Sequence, residues 1–236
     1  MSGLLNSSIG RKLIMSITGA CLVLFLLFHL SMNLVVVFSG EAYNTVCRFL
    51  GTHWYALAGT IGLAVLALAH IIYAFILTIQ NRAARGSDRY EVVAKPKNVE
   101  WASQNMLVLG IIIVCGLGLH LANFWYNMMF AELTGAKGAF DPTNGAAYVA
   151  ETFKCPVFVV LYLVWFVALW FHLTHGFWSA IQTLGWNNNI WIERWKCISF
   201  WYATIVCVLF AVIVLGYFFG VFPLFGGSCG AGCCAA

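Results

Sequence analysis

The chain has 236 residues, 62% of them hydrophobic and 8% charged, with six histidines, nine cysteines and a net charge of +4. A soluble domain carries about a quarter charged residues, so this composition excludes a water-soluble globular fold. Five segments contain no Asp, Glu, Lys or Arg, namely 13–40, 54–81, 101–131, 155–192 and 197–236, and each exceeds the roughly 20 residues that a helix needs to cross the hydrocarbon core. Backbone groups in lipid must be satisfied within a helix or a closed barrel, and no period-two alternation marks barrel strands. The expected fold is an all-α integral membrane protein, one domain over 1–236 built as a bundle of five transmembrane helices.

The first helix, about 13–40, carries Ser16 near its start and His29 inside the run "LFLLFHLSMNLVVVF", with Glu41 just beyond its end. It is too long for a cleaved signal peptide. His53, before the second helix, reads as an exposed interfacial residue. The second helix, about 54–81, holds His70 in "LAVLALAHIIYAF" and is followed by Arg82 and the polar loop 82–100. The third, about 101–131, holds His120 in "IVCGLGLHLANFW" and leads to a link, 132–154, rich in turn formers. The fourth, about 155–187, contains His172 and His175 in "LWFHLTHGFWSA", and the fifth runs over about 197–222. Cys21, Cys115 and Cys207 lie inside predicted helices and read as small apolar packing residues. The tail "GGSCGAGCCAA" matches no metal spacing and reads as a flexible terminus.

Five crossings put the amino terminus, loop 82–100 and link 193–196 on one side. That side carries Arg11, Lys12, Arg82, Arg85, Arg89, Lys95, Lys97, Arg194 and Lys196, against only Arg48, Lys137 and Lys154 on the other. The positive-inside rule then places the amino terminus in the cytoplasm and the carboxyl terminus outside. The basic inner face suits anionic lipid or a soluble partner. Neither outer link, 41–53 nor 132–154, is long enough for a catalytic domain, so a soluble active site would belong to another chain.

An ionisable residue at membrane depth is rare and usually faces the bundle interior with a partner. Four of the five helices carry one here. By helix rise, His29 and His120 fall toward the outer side, whereas His70 and His175 fall toward the inner side, each pair drawn from two helices. Two imidazoles on opposite faces of a porphyrin iron would need such pairs, with the second ring nitrogen held by an acceptor. No Cys-x-x-Cys-His motif occurs, so the expected haems are two non-covalent haems b. His175 is the expected inner ligand; His172, three residues earlier and on the same face, is the alternative. A compact zinc site does not fit two separate levels. A transporter using histidines as a proton relay would usually add intramembrane carboxylates, and the five segments have none.

The order of these histidines, with "SITGACLVLFLLFHL", "LALAHIIYAF", "GLGLHL" and "THGFWSAIQTLGW", resembles the single-chain di-haem cytochrome b anchor of succinate dehydrogenases and quinol:fumarate reductases. The resemblance covers nearly the whole chain. It implies His29 with His120 at a distal haem and His70 with His175 at a proximal haem. It further implies a flavoprotein subunit with FAD, an iron–sulfur subunit on the inner face, and a membrane quinone, menaquinone. The setting would be a bacterial cytoplasmic membrane, with the dicarboxylate active site on a partner chain. Glu41 is a candidate quinone residue, and Ser16 and Arg82 are candidates for haem propionates. Some members carry a glutamate two residues before the fourth-helix histidine; Leu173 stands there, which puts a transmembrane proton path in doubt. A b-type subunit of a hydrogenase or formate dehydrogenase is a neighbouring reading, and the direction of catalysis is left open.

Overall fold

The computed structural model describes residues 7–85, 100–186 and 188–222. Among them there are helices and no strand. The loop basic residues Arg89, Lys95 and Lys97 and the cysteine-rich tail lie outside the described residues.

Helix α1 (Ser8–Phe38) starts where the Ser7 side chain accepts from the Gly10 N–H at 2.9 Å. Arg11 and Lys12 therefore sit within its first turns, where long side chains can reach boundary water. Ser39 is extended (φ −159°, ψ 121°) and breaks the helix. Its hydroxyl then accepts from the Ala42 N–H at 3.2 Å and starts α2 (Gly40–Gly51). Helix α3 (Trp54–Arg85) crosses back. A short α4 (Trp101–Gln104) precedes α5 (Met106–His120), which continues as a π-helix (Leu121–Phe130) and then α6 (Ala131–Thr134). Gly135 ends that run with φ +69°, a conformation that only glycine adopts without cost. Helix α7 (Gly145–Lys154) is followed by α8 (Pro156–Thr183), with proline in the first helical turn, and by α9 (Trp191–Phe218). Five spans are long and apolar enough to cross a membrane: α1, α3, the α5–π–α6 run, α8 and α9.

Two links read as loops in the sequence are partly helical. Link 41–53 forms α2, and much of 132–154 forms α7. Both lie over the same end of the bundle. The Asn44 amide donates to Asn144 Oδ1 at 2.9 Å, and Asn44 Oδ1 accepts from the Ala146 N–H at 2.9 Å. Gly145 permits the approach, because a Cβ there would fall 2.4 Å from Cys47 Sγ and 2.9 Å from Tyr43 Cε1. Most of α7 is buried, whereas the turn-forming stretch before it is non-helical and its residues 136–139 are exposed, so only the second half of this link departs from the loop reading. This cap defines one end of the bundle; the amino-terminal end is the other.

Lipid tails are as apolar as leucine, so spans associate through close packing of small residues and interhelical hydrogen bonds. The main core joins α1, α2, α7, α8 and α9 beneath the cap, around Val36, Tyr43, Phe153, Tyr162, Val214 and Tyr217. Ser199 and Ala203, fully buried on α9, let that helix come close to its neighbours. Tyr202 donates to the Val23 carbonyl at 2.5 Å, and Trp170 donates to Thr204 at 2.9 Å. Helix α3 is different. It packs along α1, makes little contact with α5, and has no buried residue. Its Ile61, Val65, Leu68, Ile72, Phe75 and Ile79 are exposed, so one flank of this histidine-bearing span is uncovered among the described residues.

Candidate functional site

The spans bring histidines together at two levels. Near the capped end, His29 of α1 faces His120 of α5, with ring centroids 5.7 Å apart and planes at 88°. Nearer the amino-terminal end, His70 of α3 faces His172 of α8 at 6.4 Å and 68°. Metal–imidazole nitrogen bonds are about 2 Å long, so two rings on opposite faces of one ion lie roughly 6 Å apart centre to centre. Both separations match that spacing.

The His70 environment suits one tautomer. Thr18 Oγ1 lies 3.2 Å from His70 Nδ1 and 2.8 Å from the Ile14 carbonyl. A hydroxyl has one hydrogen, and the carbonyl can only accept it. With its proton on that carbonyl, the threonine oxygen is free to accept from His70 Nδ1–H, the tautomer in which Nε2 keeps its lone pair. A ligating histidine is commonly held in this way. Gly19, one residue on, makes room: a Cβ there would stand 3.2 Å from His70 Cε1. Across from this ring, His172 Nδ1 is buried with no hydrogen-bond partner among the described residues, and such an atom costs about 1–3 kcal/mol unless something binds it.

His175 lies elsewhere. Its Nδ1 is 3.0 Å from Glu100 Oε2, and its ring meets Trp178 at 5.0 Å. The structure thus brings His70 to His172, whereas His175 faces the boundary carboxylate. Two positions three apart on a helix differ by about 4.5 Å of rise and about 60° of net rotation, enough to move one imidazole from the interior to the edge. Sequence depth could not resolve that difference.

His29 is flanked by Phe25 at 5.4 Å and Phe210 at 5.9 Å. Asn33, one turn on, donates to the His29 carbonyl at 2.8 Å and accepts from the Tyr43 hydroxyl at 2.9 Å. The same amide nitrogen lies 3.4 Å from His29 Nε2, so a chain of polar groups links this histidine to the cap. His120 is bordered by Phe124, Tyr162 and Trp165. Trp165 seats its indole against Gly116, where a Cβ would fall 2.2 Å from Cδ1, and donates to the Ile113 carbonyl at 3.2 Å. Asn123, at the start of the π-helix, donates to Tyr162 at 3.3 Å. Asn127 donates to the carbonyls of Ala122 and Asn123, each at 3.0 Å, which supports the wide helical turn. Such turns are rare and often mark functional segments.

The remaining predicted positions are spread out. Glu41 is exposed in the first turn of α2. Ser16 is buried on α1, and Arg82 is exposed near the end of α3. His53 is exposed and stacked on Tyr55 at 5.1 Å. Sequence reasoning missed Thr18, Asn33, Tyr43 and Trp165. Thr18 stood inside the quoted run "SITGACLVLFLLFHL", yet nothing in one chain tells that a hydroxyl on α1 will meet an imidazole on α3.

Each of the two imidazole pairs, with ring centres near 6 Å apart, could hold one metal centre between its rings. They offer no four-ligand cluster, and no group of three or more His, Cys, Asp or Glu gathers among the described residues. A search of protein-family models, curated proteins and solved structures finds no match to this chain.

Proposed function

We propose that this chain is a di-haem cytochrome b membrane anchor that passes electrons between a membrane quinone and a soluble oxidoreductase. The observation that carries the reading is the pair of histidine couples, His29–His120 and His70–His172, each near 6 Å between ring centres. His172 therefore takes the place that sequence depth and resemblance gave to His175. Ser16 and Arg82 remain the candidates for propionates.

When bound, haem supplies one-electron redox chemistry at a potential set by ligands and surroundings. The chain's own work is structural and electrostatic. Thr18 holds the His70 proton on Nδ1, aromatic side chains keep water from His120, and Trp165 locks α8 to α5 beside it. The loose flank of α3 leaves room for a broad apolar group between spans. The amino-terminal end faces the cytoplasm of a bacterial membrane and carries the basic excess. A flavoprotein with FAD and an iron–sulfur subunit that interconvert succinate and fumarate dock there, and menaquinone serves as the lipid-side reactant. Glu41 is on the capped, outer face as a candidate for handling quinol protons.

The test is pyridine haemochrome quantification of the purified protein, with identification of co-purifying subunits. Two haems b per chain are expected. His172→Ala should remove one haem and His175→Ala should retain both. A protein that is folded, supplied with haem during expression and colourless would refute the proposal, whereas loss of haem only in His175→Ala would restore the other ligand.

A further inference from the structure

At the amino-terminal end, the turn from α8 to α9 borders an open cleft of about 350 Å³ lined by Gly185, Trp186, Asn188, Trp191 and Trp195. Its shape is built by the backbone. Gly185 adopts φ +85°, its N–H bonds to the Gln182 carbonyl at 3.1 Å, and the Trp186 N–H reaches Ile181 at 3.2 Å. This pair of bonds closes a helix with a glycine-dependent turn and throws Trp186 outward, 69% exposed. Trp195 then donates to the Trp186 carbonyl at 3.0 Å and fixes the far wall.

The cleft also has donors to spare. Asn188 Oδ1 accepts from the N–H groups of Ile190 and Trp191 at 3.0 and 2.8 Å, so the α9 terminus is already capped and does not itself recognise an anion. The Asn188 amide NH2 and the indole N–H groups of Trp186 and Trp191 have no hydrogen-bond partner among the described residues. Arg194 stacks 5.0 Å over Trp191 and has no ion pair among the described residues. Lys196 does, with Glu193 at 2.8 Å. Among the described residues, Arg194 is thus the rim cation without an ion pair.

Helices α8 and α9 are both membrane spans, so the turn between them lies at a boundary where tryptophan collects. Below the cleft, α9 exposes Ile198, Trp201 and Ile205 to 42%, 55% and 53%, a stripe at helical spacing that continues from Arg194 toward the membrane centre. An occupant must bring an anion to the rim, acceptors to the cleft and a long apolar part to the stripe. We infer that the cleft and stripe hold an anionic glycerophospholipid, with its phosphodiester against Arg194 and Asn188 and its acyl chains along α9.

The test is native mass spectrometry of the full-length protein from detergent micelles doped with equal phosphatidylglycerol and phosphatidylcholine. One phosphatidylglycerol should be retained in preference. A basic residue near anionic lipid contributes about 1 kcal/mol, so Arg194→Gln should weaken that retention about fivefold, and Trp191→Leu should weaken it as well. Circular dichroism of each variant checks folding. Equal retention of the two lipids, no change in folded Arg194→Gln, or full displacement by millimolar inorganic phosphate would overturn the inference. Haem content is read on the same samples and is expected to be unchanged, which separates this outcome from that of the redox reading.

Discussion

Thr18→Val removes one oxygen and keeps the branched shape, so it isolates the hydrogen bond to His70. In the native protein the hydroxyl lies 3.2 Å from His70 Nδ1, placed to accept from it while donating to Ile14 at 2.8 Å. Loss of the acceptor frees the ring to change tautomer and leaves a half-buried N–H short of one partner, at about 1–3 kcal/mol. The Met15 carbonyl is a second acceptor near the same ring, so the loss should fall near the lower figure. Removal of an outer-shell partner to a metal ligand costs about 10–100-fold in affinity; with Met15 in reserve, about tenfold is expected. The assay is haem titration followed by optical redox titration. The level held by His70 and His172 should load more weakly and shift in potential, whereas the His29–His120 level should not move. Thr18→Val that binds two haems with wild-type affinity and potentials would show that Thr18 does not set the His70 tautomer.

Three further outcomes follow from the packing. Gly116→Ala places a methyl 2.2 Å from Trp165 Cδ1; overpacking of this kind costs about 1–3 kcal/mol, and a lower thermal midpoint in detergent, with selective loss at the His120 level, would report it. Asn44→Ala breaks two of the bonds that tie α2 to the start of α7 and should destabilise the cap by about 1–3 kcal/mol, seen as faster proteolysis at the capped end. Burial pushes the Cys47 thiol up to about 11, and the thiolate is the reactive form. A variant retaining Cys47 alone should resist maleimide at neutral pH when folded and react on denaturation. Between about pH 9 and 11 the folded state keeps a proton that the unfolded chain has released, so the thiol's contribution to cap stability fades as pH rises through that window.

Much of the architecture was legible in one dimension because lipid imposes one rule: uncharged stretches of about 20 residues must be helices. His29, His70 and His120 stood out for the same reason, since an imidazole in such a stretch needs a partner. The links were harder to read. Helices α2 and α7 depend on each other through Asn44, Asn144 and Gly145, and short helices that are stabilised by tertiary contacts have weak local signals. Thr18 and Trp165 were equally silent, because each acts on a span other than its own.

Composition and spacing by themselves determined five lipid-soluble helices and histidines at two depths, because hydrophobic length and helix rise are properties of a single strand of residues. Which imidazole faces which was decided only in three dimensions. His172 and His175 differ by less than one turn in sequence, yet the rotation of α8 against α3 aims the first at His70 and leaves the second beside Glu100. That rotation is set by close packing among α1, α8 and α9, and no local pattern encodes it.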